Sequence, residues 1–274
     1  MAEKKLRILV AGAHPDDPDI TCGGVAILWS ARGHTVKFLS FTNGDTGHHA
    51  IGGVELARRR YAEAQASAKV AGIGEYQVLD NHCGELEATI ANRKVFIRIV
   101  REFRPDLLIT NRPNDYHPDH RAAALLVQDS SYIMGVPNMV SLTDIVEKTP
   151  VICYVHDRFR KPCPFQADVA VDTDGVLEKK FDMLDRHVSQ MYEWLPYNKG
   201  VIAQVPADPK ARRAWLPSQY LPRFQTVADS CRDRLVEFYG AARGAAIRSA
   251  EAFEVCEYGA PADAAELRRL FPFF

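Results

Sequence analysis

The sequence lacks any close pair of cysteines. Its six cysteines stand far apart, without a CxxC pair: Cys22, Cys83, Cys153, Cys163, Cys231 and Cys256. Disulfide-stabilised small domains and cysteine zinc sites both need closely and regularly spaced cysteines. Both are therefore excluded, and we expect reduced, mostly buried thiols.

Long apolar segments are lacking as well. No uninterrupted apolar run reaches the length of about 18 residues that a membrane-spanning helix needs. The first residues, MAEKK, are charged, whereas a signal peptide carries an apolar stretch there. We therefore expect no membrane span and a cytoplasmic protein.

Neither sign of charge is in excess. Lysine and arginine number 34 and aspartate and glutamate 35, so that the formal net charge is −1. No overall positive field is available to hold a nucleic-acid backbone, which argues against nucleic acid as a partner. The pattern GxGxxG is also missing after the first strand-like run, where AGAHPDD stands instead. A typical dinucleotide-binding site is therefore excluded.

The sequence does contain a regular alternation of strand-like and helical segments. Strands are predicted at 6–11, 36–41, 77–79, 107–110, 151–155 and 168–171, with helices at 24–31, 54–70, 89–103, 119–134 and 175–190. Such alternation is typical of βαβ units and predicts an α/β fold with a mostly parallel sheet covered on both faces.

The chain is expected to form one domain, 1–274, with a core at 1–190 and a C-terminal elaboration at 191–274 that packs on it. Prolines and aromatic residues punctuate the stretch 191–224, which predicts a long loop that could pack over a site. A helix at 226–242, a strand at 252–257 and a helix at 262–270 are predicted to follow.

Two polar clusters follow predicted strands. The first is AHPDDPD (residues 13–19), and the second is NDYHPDH (residues 114–120). Ligands of open parallel sheets collect at the carboxyl ends of the strands, and the two clusters would face each other if their strands were neighbours. A single HPD element is more often turn chemistry, with proline fixing the backbone and aspartate capping a helix. Two copies at strand ends favour a functional site.

The residue types in these clusters suit a divalent metal ion. Crowded carboxylates repel one another unless a positive charge lies among them. Histidine nitrogen and carboxylate oxygen are typical zinc ligands, and two histidines with one carboxylate leave a coordination position open for catalysis. Further acids and histidines in the clusters could move protons or stabilise an oxyanion.

AHPDDPDITCGG (residues 13–24) and HPDHRAA (residues 117–123) together resemble the LmbE-like, or PIG-L, superfamily of zinc-dependent de-N-acetylases. Arg60 and Glu63 match an Arg-x-x-Glu of its second helix, and HVSQ (residues 187–190) matches a His-x-Ser-Gln element. The resemblance covers about residues 6–190 and implies a three-layer, Rossmann-like α/β sandwich.

The resemblance also implies a role for each matching residue. The metal ligands would be His14, Asp17 and His120, the general base Asp16, and the oxyanion-stabilising or proton-donating residue His117, with Asp119 orienting the His117 ring. Candidate substrate contacts are Arg60, Asp115 and His48. The sequence does not decide whether His48, His49 and His187 line the site. Asp19 would support the site from outside the ligand shell.

The implied reaction is hydrolysis of an N-acetyl or other N-acyl group from an amino sugar or its conjugate. The cofactor would be Zn²⁺, with Fe²⁺ or another divalent ion as the alternative, and the partner a small N-acylated amino sugar; a homo-oligomer is also expected. Two alternatives stay open: a related amidase that acts on a thiol conjugate or natural-product intermediate, and a non-catalytic carbohydrate-binding protein.

Overall fold

The computed structural model describes residues 5–274. Seven strands form one sheet in the order β3-β2-β1-β4-β5-β7-β6. The strands are β1 (Arg7–Gly12), β2 (Thr35–Thr42), β3 (Glu75–Asn81), β4 (Leu107–Thr110), β5 (Val151–Val155), β6 (Val169–Asp172) and β7 (Ala250–Val255). The first five are parallel, and β7 runs antiparallel to both β5 and β6. The prediction of a mostly parallel sheet is confirmed.

Ten α-helices surround the sheet. They are α1 (Asp17–Ala31), α2 (Gly53–Ala71), α3 (Ile90–Phe103), α4 (Pro118–Ser131), α5 (Leu177–Arg186), α6 (Leu195–Asn198), α7 (Pro209–Ser230), α8 (Arg232–Tyr239), α9 (Ala241–Ala246) and α10 (Ala264–Leu270). A π-helical segment, Ser189–Trp194, joins α5 to α6. None of the helices within residues 5–274 combines the length and apolar character needed to cross a membrane.

Apolar side chains on the two faces of the sheet form two separate cores. On one face, Val25 and Trp29 of α1 pack with Ala64 of α2 and Phe271. On the other face, α3 and α4 cover the sheet with side chains such as Phe96. Because β-strand side chains alternate between faces, the strands β1, β2, β4 and β5 each contribute side chains to both cores, and the result is the expected three-layer sandwich.

The C-terminal part of the chain enters the sheet itself. Strand β7 lies between β5 and β6 and pairs with both, for example through Phe253 opposite Val155 and Val169. The chain therefore shows no structural break at residue 190, where the sequence suggested the end of the core.

The prediction of a loop at 191–224 is wrong over much of its length, because α7 begins at Pro209. Two prolines, Pro217 and Pro222, lie inside this helix, and their presence is what argued against helix. Leu216, Tyr220 and Phe224, four residues apart, bury the same helix face in a third apolar cluster. Burial of this face offsets the hydrogen bonds that the prolines remove.

Candidate active site

Strands β1 and β4 are direct neighbours, so the segments that follow them meet at one edge of the sheet. Ala11 at the end of β1 pairs with Thr110 at the end of β4. His14 follows β1, and His120 lies in the first turn of α4. The expectation that the two polar clusters face each other is therefore met.

One nitrogen or oxygen atom from each of three residues forms a nearly equilateral triangle. His14 Nδ1 lies 3.2 Å from Asp17 Oδ2, His120 Nε2 lies 3.3 Å from the same oxygen, and the two nitrogens are 3.3 Å apart. Ligands about 2.0–2.1 Å from a tetrahedral zinc are separated by about 3.3–3.4 Å. The donor set and its spacing thus fit a divalent ion capping this triangle.

A second carboxylate lies behind each of the two histidines. His14 Nε2 is 3.1 Å from Asp119 Oδ2, and His120 Nδ1 is 3.0 Å from Asp115 Oδ2. Metal-binding histidines are commonly supported in this way, because the carboxylate fixes which ring nitrogen carries the proton. The arrangement leaves His14 Nδ1 and His120 Nε2 free to bind a metal.

These contacts differ from two expectations. The carboxylate of Asp119 contacts His14 rather than the ring of His117, and it also accepts hydrogen bonds from the backbone N–H groups of Gly84 and Leu86. Asp115, expected to meet substrate, is occupied by His120 and by the backbone N–H of His117. Both acids therefore support histidines.

His117 is close to the triangle but is held in a different tautomer. Its Nδ1 accepts a hydrogen bond from the backbone N–H of Asp119, which caps the start of α4. In the neutral ring Nε2 then carries the proton and cannot bind a metal. Burial lowers the pKa of His117, and the nearby His14 and His120 lower it further. The ring is thus a neutral N–H donor near neutral pH.

The charges in the triangle are strongly coupled. Burial acts to lower the pKa of His14 and His120, but the nearby carboxylates, with Asp17 foremost, together outweigh it, raising the pKa of His14 well above its ordinary value and that of His120 to about 9. Burial acts to raise the pKa of Asp17, yet the two histidines hold it well below its ordinary value. The site thus favours a carboxylate beside positive charge, which a divalent ion can supply in place of ring protons.

The carboxylate of Asp16 is paired with a buried arginine. Arg60 Nη2 donates to Asp16 Oδ1 over 2.8 Å, and both side chains are buried. Arg60 also reaches the backbone oxygen of Gly44. A side chain at Gly44 would collide with the Arg60 guanidinium, and its φ of +73° also favours glycine. Arg60 therefore positions Asp16, in contrast to the expected contact with substrate.

The elements that matched the family outside the two clusters form a buried supporting layer. Glu63 accepts hydrogen bonds from the hydroxyl and backbone N–H of Ser189, at 2.6 and 2.9 Å. His187 Nε2 lies 3.2 Å from Asp19 Oδ1, and Tyr76 donates to Asp19 Oδ2 over 3.0 Å. His187 therefore lies behind the site, and Asp19 supports the layer, as its position suggested.

His48 is engaged by protein on both ring nitrogens. Its Nδ1 accepts from the backbone N–H groups of Ala50 and Ile51, and its Nε2 lies 2.9 Å from Glu193, which also binds Arg59. The ring therefore ties its loop to the π-helical segment. The neighbouring His49 stacks against Tyr197, with ring centroids 4.1 Å apart.

Three further residues near the site were not among the site residues that the sequence indicated. The thiol of Cys83 lies close to His14 and Asp119, and Tyr220 and Arg223 of α7 are close enough to Asp16 and Asp17, respectively, for their charges to interact. Only the fold brings these segments to the site. The helical spacing of Leu216, Tyr220 and Phe224 was the one available clue that this stretch packs as a helix.

Known proteins share sequence similarity with this chain. Residues 9–131 match the family model PIG-L, GlcNAc-PI de-N-acetylase. Diacetylchitobiose deacetylase of Thermococcus kodakarensis is 30% identical over 208 residues, which cover 70% of this chain and 74% of the relative. 1D-myo-inositol 2-acetamido-2-deoxy-alpha-D-glucopyranoside deacetylase of Rhodococcus opacus is 26% identical over 239 residues, covering 68% and 82%.

The fold is shared with solved structures as well. N,N'-diacetylchitobiose deacetylase from Pyrococcus horikoshii superimposes with a TM-score of 0.71 at 22% identity, covering 92% of this chain and 84% of that one. The sequence relationship extends over two thirds of the chain and includes both polar clusters. On this evidence the chain belongs to the PIG-L family of GlcNAc-PI de-N-acetylases.

Proposed function

We propose that this protein is a metal-dependent N-deacetylase that hydrolyses the N-acetyl group of an amino sugar or amino-sugar conjugate. The observation that carries the proposal is the triangle of His14 Nδ1, Asp17 Oδ2 and His120 Nε2, with edges of 3.2–3.3 Å. The deacetylase activity named for the relatives in Thermococcus kodakarensis and Rhodococcus opacus supports the reaction class.

The metal would be held by the three atoms of the triangle. Nitrogen and oxygen donors without thiolate suit Zn²⁺, with Fe²⁺ as the alternative. When bound, such an ion supplies Lewis acidity, which makes a water acidic near neutral pH and polarises an amide carbonyl. Asp119 and Asp115 hold the two histidine rings in the tautomers that binding requires.

Asp16 would act as the general base. It lies next to the ligand Asp17 in the chain, is buried, and has one carboxylate oxygen held by Arg60. Asp16 accepts a proton from the attacking water while the water oxygen bonds to the acyl carbon. When the C–N bond breaks, the same proton passes to the leaving amine nitrogen.

His117 would stabilise the charge that develops on the acyl oxygen. Its Nδ1 is occupied by the backbone N–H of Asp119, so the neutral ring carries an Nε2–H donor, and its centroid lies 4.6 Å from that of His14. A preorganised donor is worth most where negative charge develops in the transition state.

The test combines metal content with product release. Purified protein should contain about one divalent ion per chain and release acetate from N,N'-diacetylchitobiose or an N-acetylglucosaminyl conjugate. His14→Ala and His120→Ala should lose both the metal and the activity, whereas His82→Ala, at a side chain that is 66% exposed, should retain both. Absence of stoichiometric metal together with absence of acetate release would refute the proposal, and release of a larger acid would indicate a different amidase.

A further inference from the structure

Two arginines that act electrostatically on each other form no ion pair with any of residues 5–274. They are Arg158, in the segment after β5, and Arg223 of α7. Arg158 and Arg223 are exposed to solvent. Protein atoms packed around the Arg223 side chain nevertheless lower its pKa.

Arg223 lies beside the candidate metal site. It lines a narrow crevice together with Thr21 and His156. The hydroxyl of Thr21 donates to the backbone oxygen of the ligand residue Asp17 over 2.7 Å. The charge of Asp17 and the ring of Tyr116 are both close enough to act on Arg223. The Arg223 guanidinium therefore lies close enough to the triangle to interact with the charge of Asp17.

Tyr116 links the crevice to the segment that carries Arg158. Its ring lies 5.7 Å from the ring of His117 and 5.9 Å from that of Phe159, measured between centroids. Tyr116 is 71% exposed, so the surface between the triangle and Arg158 is accessible. A substrate whose acyl group meets His117 could extend across Tyr116 toward Arg158 and Arg223.

Two acids close to these arginines are already paired, one next to Arg158 in the chain and one in the crevice that Arg223 lines. Asp157 accepts from Arg112 at 3.1 Å and from the backbone N–H of Phe159. Glu251, which lines the same crevice, binds Lys180 at 2.6 Å and two backbone N–H groups of α1. Neither carboxylate is free to neutralise Arg158 or Arg223.

The positive charges of Arg158 and Arg223 act on each other and on His156. Burial lowers the pKa of His156 to about 4, with further contributions from Arg223, Arg158 and Arg112. The Nε2 of His156 lies 3.2 Å from the hydroxyl of Ser230 in α7, which joins the two walls of the crevice. The fold thus holds Arg158 and Arg223 near each other at a cost in repulsion that an anion would relieve.

We propose that Arg158 and Arg223 form a subsite for an acidic group, a carboxylate or a phosphate, carried by the amino-sugar substrate on the side away from its N-acetyl group. The inference rests on the proposed deacetylase function and specifies its substrate class. Guanidinium groups bind carboxylate and phosphate oxygens through paired, charge-assisted hydrogen bonds, which makes two unpaired arginines a specific recognition device.

The test compares acidic with neutral substrates on the metal-loaded full chain. N-acetylglucosamine 1-phosphate and N-acetylglucosaminyl malate provide the two acidic groups, and N,N'-diacetylchitobiose provides the neutral comparison. The wild type should prefer one acidic substrate by at least about tenfold in kcat/KM, and that substrate identifies the group. Arg223→Gln and Arg158→Gln should each lower the acidic-to-neutral ratio of kcat/KM about 10- to 100-fold, mainly through KM.

Arg248→Gln is a matched control, because Arg248 is exposed and is not one of the residues that line the crevice. It removes the same charge and should leave the ratio unchanged. Thermal unfolding identifies variants that fail to fold. If Arg223→Gln fails to fold, the result for Arg158→Gln decides the test. The subsite proposal is wrong if the wild type turns over neutral and acidic substrates with equal kcat/KM and if neither variant changes the acidic-to-neutral ratio of kcat/KM. That result would leave the deacetylase function intact.

Absence of turnover on every substrate would instead contradict the deacetylase function. Calorimetry then tests the subsite independently, because it needs no reaction. Glucosamine 1-phosphate should bind more tightly than glucosamine to the wild type, and Arg223→Gln should abolish that difference. Equal binding of the two sugars to the wild type would overturn the subsite.

Discussion

Asp16 and Asp17 are adjacent in the chain, yet their carboxylates have different partners. Helix α1 begins at Asp17, with Pro18 in its first turn, so that Asp17 has helical geometry whereas Asp16, at φ −158°, does not. The change in backbone conformation directs Asp17 toward His14 and His120 and directs Asp16 toward Arg60. Two identical side chains thereby obtain different chemistry.

Replacing Asp16 separates the two roles. Asp16→Asn should lower kcat about 10²- to 10⁴-fold, because general-base catalysis typically contributes that much, while the metal content stays at the wild-type level. Acetate release and elemental analysis of the same preparation provide the measurement. Asp144→Asn, at a side chain that is 90% exposed, is the matched control. Full turnover by Asp16→Asn would show that another group accepts the proton.

The carboxylate behind His120 can be tested in the same way. Asp115→Asn should weaken metal binding about 10- to 100-fold, because the loss of the negative charge makes the histidine a poorer ligand and loosens its orientation. Competition with a chelator measures the affinity. An affinity equal to that of the wild type would mean that the 3.0 Å contact between Asp115 and His120 does not support the ligand.

At the scale of elements, a buried ion pair joins three of them. Lys180 of α5 binds Glu251 of β7, and Glu251 also accepts hydrogen bonds from the backbone N–H groups of Gly24 and Val25 in α1. Glycine is required at position 24, because a Cβ there would lie 2.6 Å from the side chain of Thr173 and 2.9 Å from Glu251. The pair thus anchors the helix whose first turn carries Asp17.

Breaking this pair should destabilise the fold. Lys180→Met leaves Glu251 buried with its charge unpaired, and the free energy of unfolding should fall by about 3–5 kcal/mol. The double variant Lys180→Met with Glu251→Gln should lose less than the sum of the two single variants, because no uncompensated charge remains. Urea unfolding measures all three. Strict additivity would show that the two groups do not interact energetically.

Helix α7 shows where element prediction from sequence was limited. Prolines and aromatic residues in the stretch 191–224 indicated a loop, because local propensity weighs proline heavily. The helix forms nonetheless, because Leu216, Tyr220 and Phe224 gain burial against α5 and the π-helical segment. Those partners come from other parts of the chain, so that a local pattern could not reveal them.

At the scale of the whole molecule, stability should depend on pH through His156. Its pKa is lowered from 6.5 to about 4, first by burial and then by the neighbouring arginines. The unfolded chain binds a proton at this residue below about pH 6.5, whereas the folded protein does so only near pH 4. Stability contributed by the neutral ring is therefore present above pH 6.5 and is lost as the pH falls toward 4.

His156→Asn should flatten this dependence. Between pH 7 and pH 4.5, the variant should lose about 1–2 kcal/mol less of its free energy of unfolding than the wild type does. Urea titrations at the two pH values provide the comparison. His82→Asn is a contrasting control, because a hydrogen bond to Asp45 raises the pKa of His82, and its replacement should not flatten the curve. Parallel wild-type and His156→Asn curves would contradict the assigned pKa.

Much of this protein could be predicted from local patterns. Alternating strands and helices indicated the α/β sandwich, the two HPD elements indicated a candidate metal site, and the family resemblance of these elements implied His14, Asp17 and His120 as its ligands. These signals are local, because a strand, a turn and a helix start are each specified by a few consecutive residues. The same locality explains why the first five strands were located within a few residues.

Contacts between distant segments depended on the folded chain. Three such contacts join residues more than 40 positions apart in the chain. They are the contact of Asp119 with His14, that of Arg60 with Asp16 and the approach of Arg223 to Asp17. The insertion of β7 between β5 and β6 is of the same kind. A charged or polar side chain finds its partner only after packing has set the distances, because electrostatic and hydrogen-bond energies depend on positions that no local pattern contains.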